Sequence, residues 1–276
     1  MKLNELTTAA SSFKKSEKMP VLFVGHGSPM NALEDNPFTQ KLNRIGTDIR
    51  QRQTPTAILV VSAHFLTKGT YVTASPKPET IHDFGGFPEA LFREQYPAPG
   101  SPEYAREIMK MVPEVQDTEE WGLDHGAWTI LKHMFPEADI PVFELSLDYG
   151  RSPQYHFDLA QRLQFLRERG VLIIGSGNIV HNLRQSMPKL MAQDATPYDW
   201  AVEFDEWVKT KINQRDFQSL IDFHKAGTMG ALSVPTIDHY LPVLYTLGLA
   251  DKNENITQAY EEVYYGGLSM RTFIAG

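Results

Sequence analysis

Short, unbroken apolar runs alternate along this chain with longer stretches of helical periodicity. Val21 to Gly25, Ala57 to Ala63 and Val171 to Gly175 are continuous rather than alternating, rich in β-branched residues, and end in Gly, Ser or His. Pro141 to Leu147 has the same character. Runs of this kind predict strands buried on both faces of a mainly parallel sheet. Between them, Phe38 to Arg52 opens after Asn36-Pro37 and carries Leu42, Ile45 and Ile49 at helical spacing. Glu103 to Met111 follows Ser101-Pro102, a polar cap with proline at the first helical position. Ser152-Pro153 repeats that signal before a helix through Leu159, Leu163 and Leu166 that stops near Gly170. Tyr198 to Ile212 places Trp200, Phe204 and Trp207 on one face, a stripe better read as core packing than as a cofactor box.

Strand–helix alternation over most of the chain predicts an α/β fold, a single domain with a mainly parallel central sheet flanked by helices. Residues 1–18, rich in Ser, Thr and Lys, read as a flexible lead-in to a folded domain over 19–276. The stretches from Ser75 to Gly100 and from Lys225 to Pro235 read as irregular, and loops of that length are more often functional than idle. The first of them is a candidate lid.

Composition narrows the chemistry. The chain has 276 residues, a net charge of −8 and no cysteine. The charge disfavours a general nucleic-acid role, since phosphate binding needs a basic surface. Without cysteine there are no disulfides, thiolate nucleophiles or sulfur-ligated metals, so any metal is held by His, Asp, Glu or backbone oxygen. No apolar run approaches the roughly 20 residues that span a bilayer, and residues 1–18 lack the apolar core of a signal peptide. A cytoplasmic location without a membrane partner is the resulting expectation.

The nine histidines are only a slight excess, and their places say more than their number. His26 ends the first apolar run and His64 the second, in Gly25-His26-Gly27-Ser28-Pro29 and Ser62-Ala63-His64-Phe65. In open α/β sheets ligands bind beyond the carboxyl ends of the strands, so two histidines in matching positions can converge. His181 follows the Val171 run after Gly175-Ser176-Gly177-Asn178-Ile179-Val180 and is expected in the first turn of the next helix, facing the same crevice. His239, in Asp238-His239-Tyr240-Leu241-Pro242, is expected at the opening of a helix, and His125 in a Gly-flanked loop entering another. His133, His156 and His224 lie within or beside helical patterns and read as structural, the usual fate of an isolated histidine; His82 goes either way.

Imidazole clusters suit zinc, copper, nickel and iron. A His-Glu-x-x-His zinc-protease pattern is absent, as is G-x-G-x-x-G, and neither Ser62 nor Ser176 sits in a G-x-S-x-G elbow. Zinc hydrolysis and iron-dependent oxygen chemistry both remain open on the residues alone, as does a zinc-binding protein without turnover.

Taken together and in order, H-G-S-P, S-A-H-F, D-H-G-A-W, G-S-G-N-I-V-H-N-L and D-H-Y-L-P resemble the class III (protocatechuate-type) extradiol ring-cleavage dioxygenases, with the DOPA 4,5-dioxygenase branch the nearer match from about Val21 to the C-terminus. The resemblance implies one divalent metal per chain, Fe(II) for activity, with Zn(II) also compatible. It implies a catechol substrate such as L-DOPA and dioxygen as co-substrate. On it, His26 and His64 match two metal ligands and His239 the third. His181 matches an acid/base, or a fourth ligand if zinc is bound, and His125 a second active-site histidine. The third ligand departs from the carboxylate of the protocatechuate enzymes, and Asp238 is adjacent. Arg93, Arg151 and Arg184 are candidates for the carboxylate of an amino-acid substrate. A zinc hydrolase using the same histidines is the alternative. No heptad or interface stripe points to an oligomeric partner.

Overall fold

The computed structural model describes residues 16–276, so most of the expected lead-in lies outside the described residues. The central sheet contains β1 (Val21–Gly25), β2 (Ala57–Ser62), β3 (Val142–Glu144), β4 (Val171–Gly177), β5 (Ile256–Tyr260) and β6 (Thr272–Ala275) in the order β3-β2-β4-β1-β6-β5. Strands β3, β2, β4 and β1 pair in parallel, and β6 and β5 extend one side antiparallel. The parallel part is the one the continuous apolar runs predict. The antiparallel edge carries a weaker signal, because Ile256–Tyr260 is polar-interspersed and only partly buried.

The expected Pro141–Leu147 strand is interrupted. It is β3 followed by a separate two-residue strand, Leu147–Asp148, which pairs with Leu66–Thr67. The change of partner puts the carboxyl end of β3, Glu144, under the site described below.

Helices cover both faces: α1 (Pro37–Arg52), α2 (Pro102–Met111), α3 (His125–Met134), α4 (Pro153–Arg162), α5 (Leu183–Met191), α6 (Asp199–Gln214) and α7 (Leu241–Leu249). Alternation along the strands divides the core into two clusters. Leu22, Val24, Ile58, Val60, Leu172 and Ile174 pack with Phe38 and Leu42 of α1 and Trp128 and Leu131 of α3. Val21, Phe23, Leu59, Val61 and Ile173 pack with Ile108 of α2, Leu159 of α4, Phe204 of α6 and Leu244 of α7. The Trp200–Phe204–Trp207 stripe packs against this second cluster, Phe204 fully buried.

Local chemistry sets the helix ends. Asn36 and Thr39 form a reciprocal capping box on α1, and the Ser152 hydroxyl accepts from the Tyr155 amide. Beyond Arg162 the expected α4 helix tightens into a 3-10 turn, Gln164–Arg169, ended by Gly170 in the left-handed region at φ 80°. The expected irregular stretch Lys225–Pro235 is instead mostly helical, overlapping the 3-10 turn Phe223–Ala226 and the short helix Thr228–Ser233. Residues 75–100 are largely irregular, with one turn of helix at Glu89–Phe92. Among the described residues no helix is long and apolar enough to cross a membrane.

Candidate metal centre

Strand register brings the site together. Ser176 of β4 lies opposite both Val24 of β1 and Ser62 of β2. The first two apolar runs are therefore not neighbours; β4 lies between them. His26 and His64 each follow two residues beyond those aligned positions, so they leave the sheet at one level on either side of β4. The His26 amide donates to Gly177 O at 3.0 Å and the Ala63 amide to Ser176 O at 2.9 Å, tying both exits to the central strand.

The other histidines arrive from three directions. His125 is the first residue of α3, whose N-terminus is capped by Asp124. The Asp124 carboxylate accepts from the Ser62 hydroxyl at 2.7 Å, which joins the cap to the segment that ends in His64. His239 precedes α7 by two residues, in a turn rather than a helix, because Pro242 sits in the first turn of α7. The Asn178 amide donates to His239 O at 2.9 Å. This close approach requires glycine at 177, where a Cβ would lie 2.3 Å from the His239 carbonyl oxygen. His181 also precedes its helix, since Asn182 caps α5; its amide donates to Ser233 O at 2.9 Å.

All five histidines singled out in the sequence meet. Ring centroids of His26 and His64 are 5.1 Å apart, and His239 lies 5.3 Å from His26 and 4.9 Å from His64. His125 lies 3.9 Å from His64, and His181 stacks on His239 at 3.5 Å and 3°. Nitrogens of His26, His64 and His125 fall within 4.8 Å of one another, as do donor atoms of His181, Asp238 and His239. The remaining histidines are held elsewhere: His82 on Glu94 O at 3.0 Å, His133 on Asn31 O at 2.7 Å and His156 on the Tyr245 hydroxyl at 3.1 Å. His224 is exposed.

Hydrogen bonding orients the rings. The Ser176 hydroxyl donates to Gly126 O at 2.5 Å, so it accepts from His26 Nδ1 at 2.9 Å. That assignment places the proton of His26 on Nδ1 and leaves the Nε2 lone pair free. His125 Nδ1 donates to Asp83 at 2.9 Å, and His239 Nδ1 makes a short bond to Asp238. Each of these rings keeps Nε2 available, the arrangement in which an oxygen behind an imidazole fixes a metal-binding tautomer.

Electrostatics favour neutral rings. Burial, then the neighbouring histidines, holds His26 and His64 well below the usual imidazole range. Burial and His239 push His181 down to about 2. Burial acts against ionisation of Asp238 and Asp83, but hydrogen bonds to His239 and His125 outweigh it and hold both carboxyls below their usual range. Behind the site, burial and the charge of Asp124 raise Glu144 well above the carboxylate range, which favours its neutral form; its Oε1 accepts from the Asp124 amide at 2.9 Å.

This donor set fits a divalent cation. His26 Nε2 and His64 Nε2 are 3.2 Å apart. His26, with its proton on Nδ1, turns its Nε2 lone pair toward His64 there. The contact is a neutral hydrogen bond when His64 carries its proton on Nε2, and a pair of lone pairs open to a cation when His64 carries it on Nδ1. Two nitrogens on one zinc at about 2.0–2.1 Å in tetrahedral array are themselves about 3.3 Å apart.

Several supporting residues carry no sequence signal of their own. Asp83 and Glu144 are ordinary acids in the chain, and Asp124 and Ser176 lie inside the D-H-G-A-W and G-S-G-N-I-V-H-N-L motifs with no role assigned to them there. The candidate arginines are held at the periphery: exposed Arg93 pairs with Glu89, and Arg151 with Asp148. Arg184 is exposed in the first turn of α5.

A histidine-lined metal site at the carboxyl ends of parallel strands defines a metal-dependent α/β protein. Residues 20–272 match the family described as the catalytic LigB subunit of aromatic ring-opening dioxygenase. The chain is 46% identical over 264 residues to the 4,5-DOPA dioxygenase extradiol of Escherichia coli (strain K12), covering 92% of this chain and 94% of that one. It is 35% identical over 236 residues to the 4,5-DOPA dioxygenase extradiol of Beta vulgaris, covering 84% and 87%. The crystal structure of an uncharacterized protein from Escherichia coli K12 superposes with a TM-score of 0.80 at 40% identity, covering 94% of this chain and all of that one. The chain belongs to the LigB family and is an extradiol ring-cleaving dioxygenase.

Proposed function

We propose that this enzyme opens the ring of a catechol such as L-DOPA with dioxygen, using one divalent metal held by His26, His64 and His239, with Fe(II) as the active metal. The similarity to two 4,5-DOPA dioxygenases over most of the chain supports the substrate class. The observation that carries the site is the convergence of imidazoles whose Nδ1 atoms are tied to Ser176, Asp83 and Asp238. When bound, a redox-active metal with open positions would draw catechol and dioxygen together and lower the pKa of the phenol.

The chain's own residues supply the proton chemistry. His181 is neutral in the resting site, as a base must be, and its ring is held face to face with His239. It takes the second phenol proton, and the anion formed beside it raises its proton affinity for the return step. His125, held by Asp83, presents Nε2 to the other side of the site and orients substrate or oxygen. Residues 19–276 act as one catalytic domain. A cytoplasmic location accompanies this reading, consistent with a chain without cysteine.

One observation favours a second ligand set: nitrogens of His26, His64 and His125 group within 4.8 Å. Anaerobic reconstitution of metal-free enzyme separates the two. With Fe(II), DOPA and air, oxygen uptake and a new yellow absorbance are expected. His239→Ala is expected to lose the metal, and His125→Ala to keep it with slowed turnover. The reverse pattern moves the third ligand to His125. Full metal loading with no uptake on any catechol sinks the dioxygenase assignment in favour of hydrolysis.

A further inference from the structure

Residues 75–100 reach the site through Asp83. Its Oδ1 accepts from the His125 amide at 2.9 Å and its Oδ2 from His125 Nδ1 at 2.9 Å. The same Oδ2 lies 3.4 Å from His64 Nδ1. The Asp83 side chain is 15% exposed and His125 8%, so water competes weakly for these contacts. Phe84, the next residue, sets its ring edge-on to His125 with centroids 5.6 Å apart, closing the outer side of the same imidazole.

We propose that Asp83 is a positioning residue shared by a metal ligand and the histidine across the site from the base: one carboxylate oxygen fixes the Nδ1–H tautomer of His125 and faces Nδ1 of His64, so that both Nε2 atoms aim at one point. The proposal rests on His64 being a metal ligand, as in the reading above. It gives the 75–100 segment a task different from a freely opening lid. The segment is strapped to the centre it covers, and metal loading and its docking reinforce each other.

The choice of side chain matters. A carboxylate has acceptors on both oxygens and serves the backbone amide and the ring together. In Asp83→Asn one of those positions becomes an NH2 donor. Either the amide contact is lost, or the ring of His125 must turn or change tautomer, which removes its Nε2 lone pair from the site.

The test uses full-length protein with zinc as probe, by chelator competition. Removing an oxygen partner behind a ligating histidine costs 10–100-fold in metal affinity. Asp83→Asn is expected to lose that order of affinity and Asp83→Glu to regain part of it, whatever the lost hydrogen bond does to the metal-free thermal midpoint. A purely structural Asp83 would lower that midpoint and leave affinity alone. Should Asp83→Asn fail to fold, 15N imidazole spectra of the zinc-loaded parent decide: Nδ1–H tautomers at His64 and His125 support the role. An Nε2–H tautomer at either, or unchanged affinity in Asp83→Asn, overturns it. Failure of the underlying reading looks different, because the parent itself would then retain no zinc.

Discussion

At the scale of single residues, the site is built as much by what is missing as by what is present. Gly177 ends β4 with no side chain, and that gap admits the carbonyl of His239. An alanine there would place its Cβ 2.3 Å from His239 O and 3.1 Å from the Pro242 ring. Backbone cannot swing aside as a flexible side chain can, so the turn from Asp238 to Leu241 must shift. Gly177→Ala is expected to cost about 1–3 kcal/mol of stability, as overpacking does. It should also reduce bound metal per chain, because the displaced residue is one of the three proposed ligands. Thermal unfolding of the metal-free variant and metal analysis of the loaded one read the two effects separately. A variant that is destabilised yet retains full metal would point to His125 as the third ligand.

At the scale of elements, α4 and α7 pack through a buried polar pair, His156 and Tyr245. His156 is fully buried, and burial holds its imidazole down to about 4 despite an opposing contribution from Asp148. The folded state therefore binds its proton less readily than the unfolded chain, where an imidazole titrates near 6.5. A group depressed on folding destabilises as pH falls: the loss begins below about 6.5, grows to about 3 kcal/mol near pH 4, and then levels off. His26, His64 and His181 act in the same direction in metal-free protein, so the contribution is isolated by subtraction. His156→Gln is expected to show a shallower decline of stability between pH 6.5 and 4, in parallel denaturant titrations. Identical slopes would mean that His156 is already charged in the folded state.

The same scale shows what the chain discloses. The parallel strands are legible because burial on both faces writes a continuous apolar run, and the strand-end histidines because they follow those runs directly. Helix starts are legible at Asn36 and Ser152, where cap chemistry is local. The antiparallel edge is not, since β5 and β6 are short and β5 is only partly buried. Asp83 is invisible for another reason: its role depends on a contact 42 residues away, and nothing in its neighbourhood distinguishes it from a surface acid. Among the histidines the sequence identifies the set that converges, whereas division of that set into ligands and acid/base groups rests on resemblance.

At the scale of the whole molecule, the metal centre is a structural joint. His26 follows β1, His64 follows β2, His125 opens α3 and His239 leads into α7, so one cation would bind together the sheet and helices from both of its faces. The rings are crowded in its absence, with the Nε2 atoms of His26 and His64 3.2 Å apart. A ligand that binds the folded state and not the unfolded one stabilises by RT ln(1 + [L]/Kd), about 4 kcal/mol at a thousandfold excess over Kd. For a chain of this size each kcal/mol moves the midpoint by roughly 2–4 °C, so zinc-loaded enzyme is expected to unfold about 8–16 °C above the metal-free form. The midpoint should climb with the logarithm of free zinc, and the dependence should vanish in His64→Ala. Calorimetry across a zinc series checks this without any catalytic turnover. A shift that persists unchanged in His64→Ala would place the stabilising ion outside the histidine cluster, whereas a lost shift with intact folding ties the stability of the whole molecule to the same nitrogens that serve the reaction.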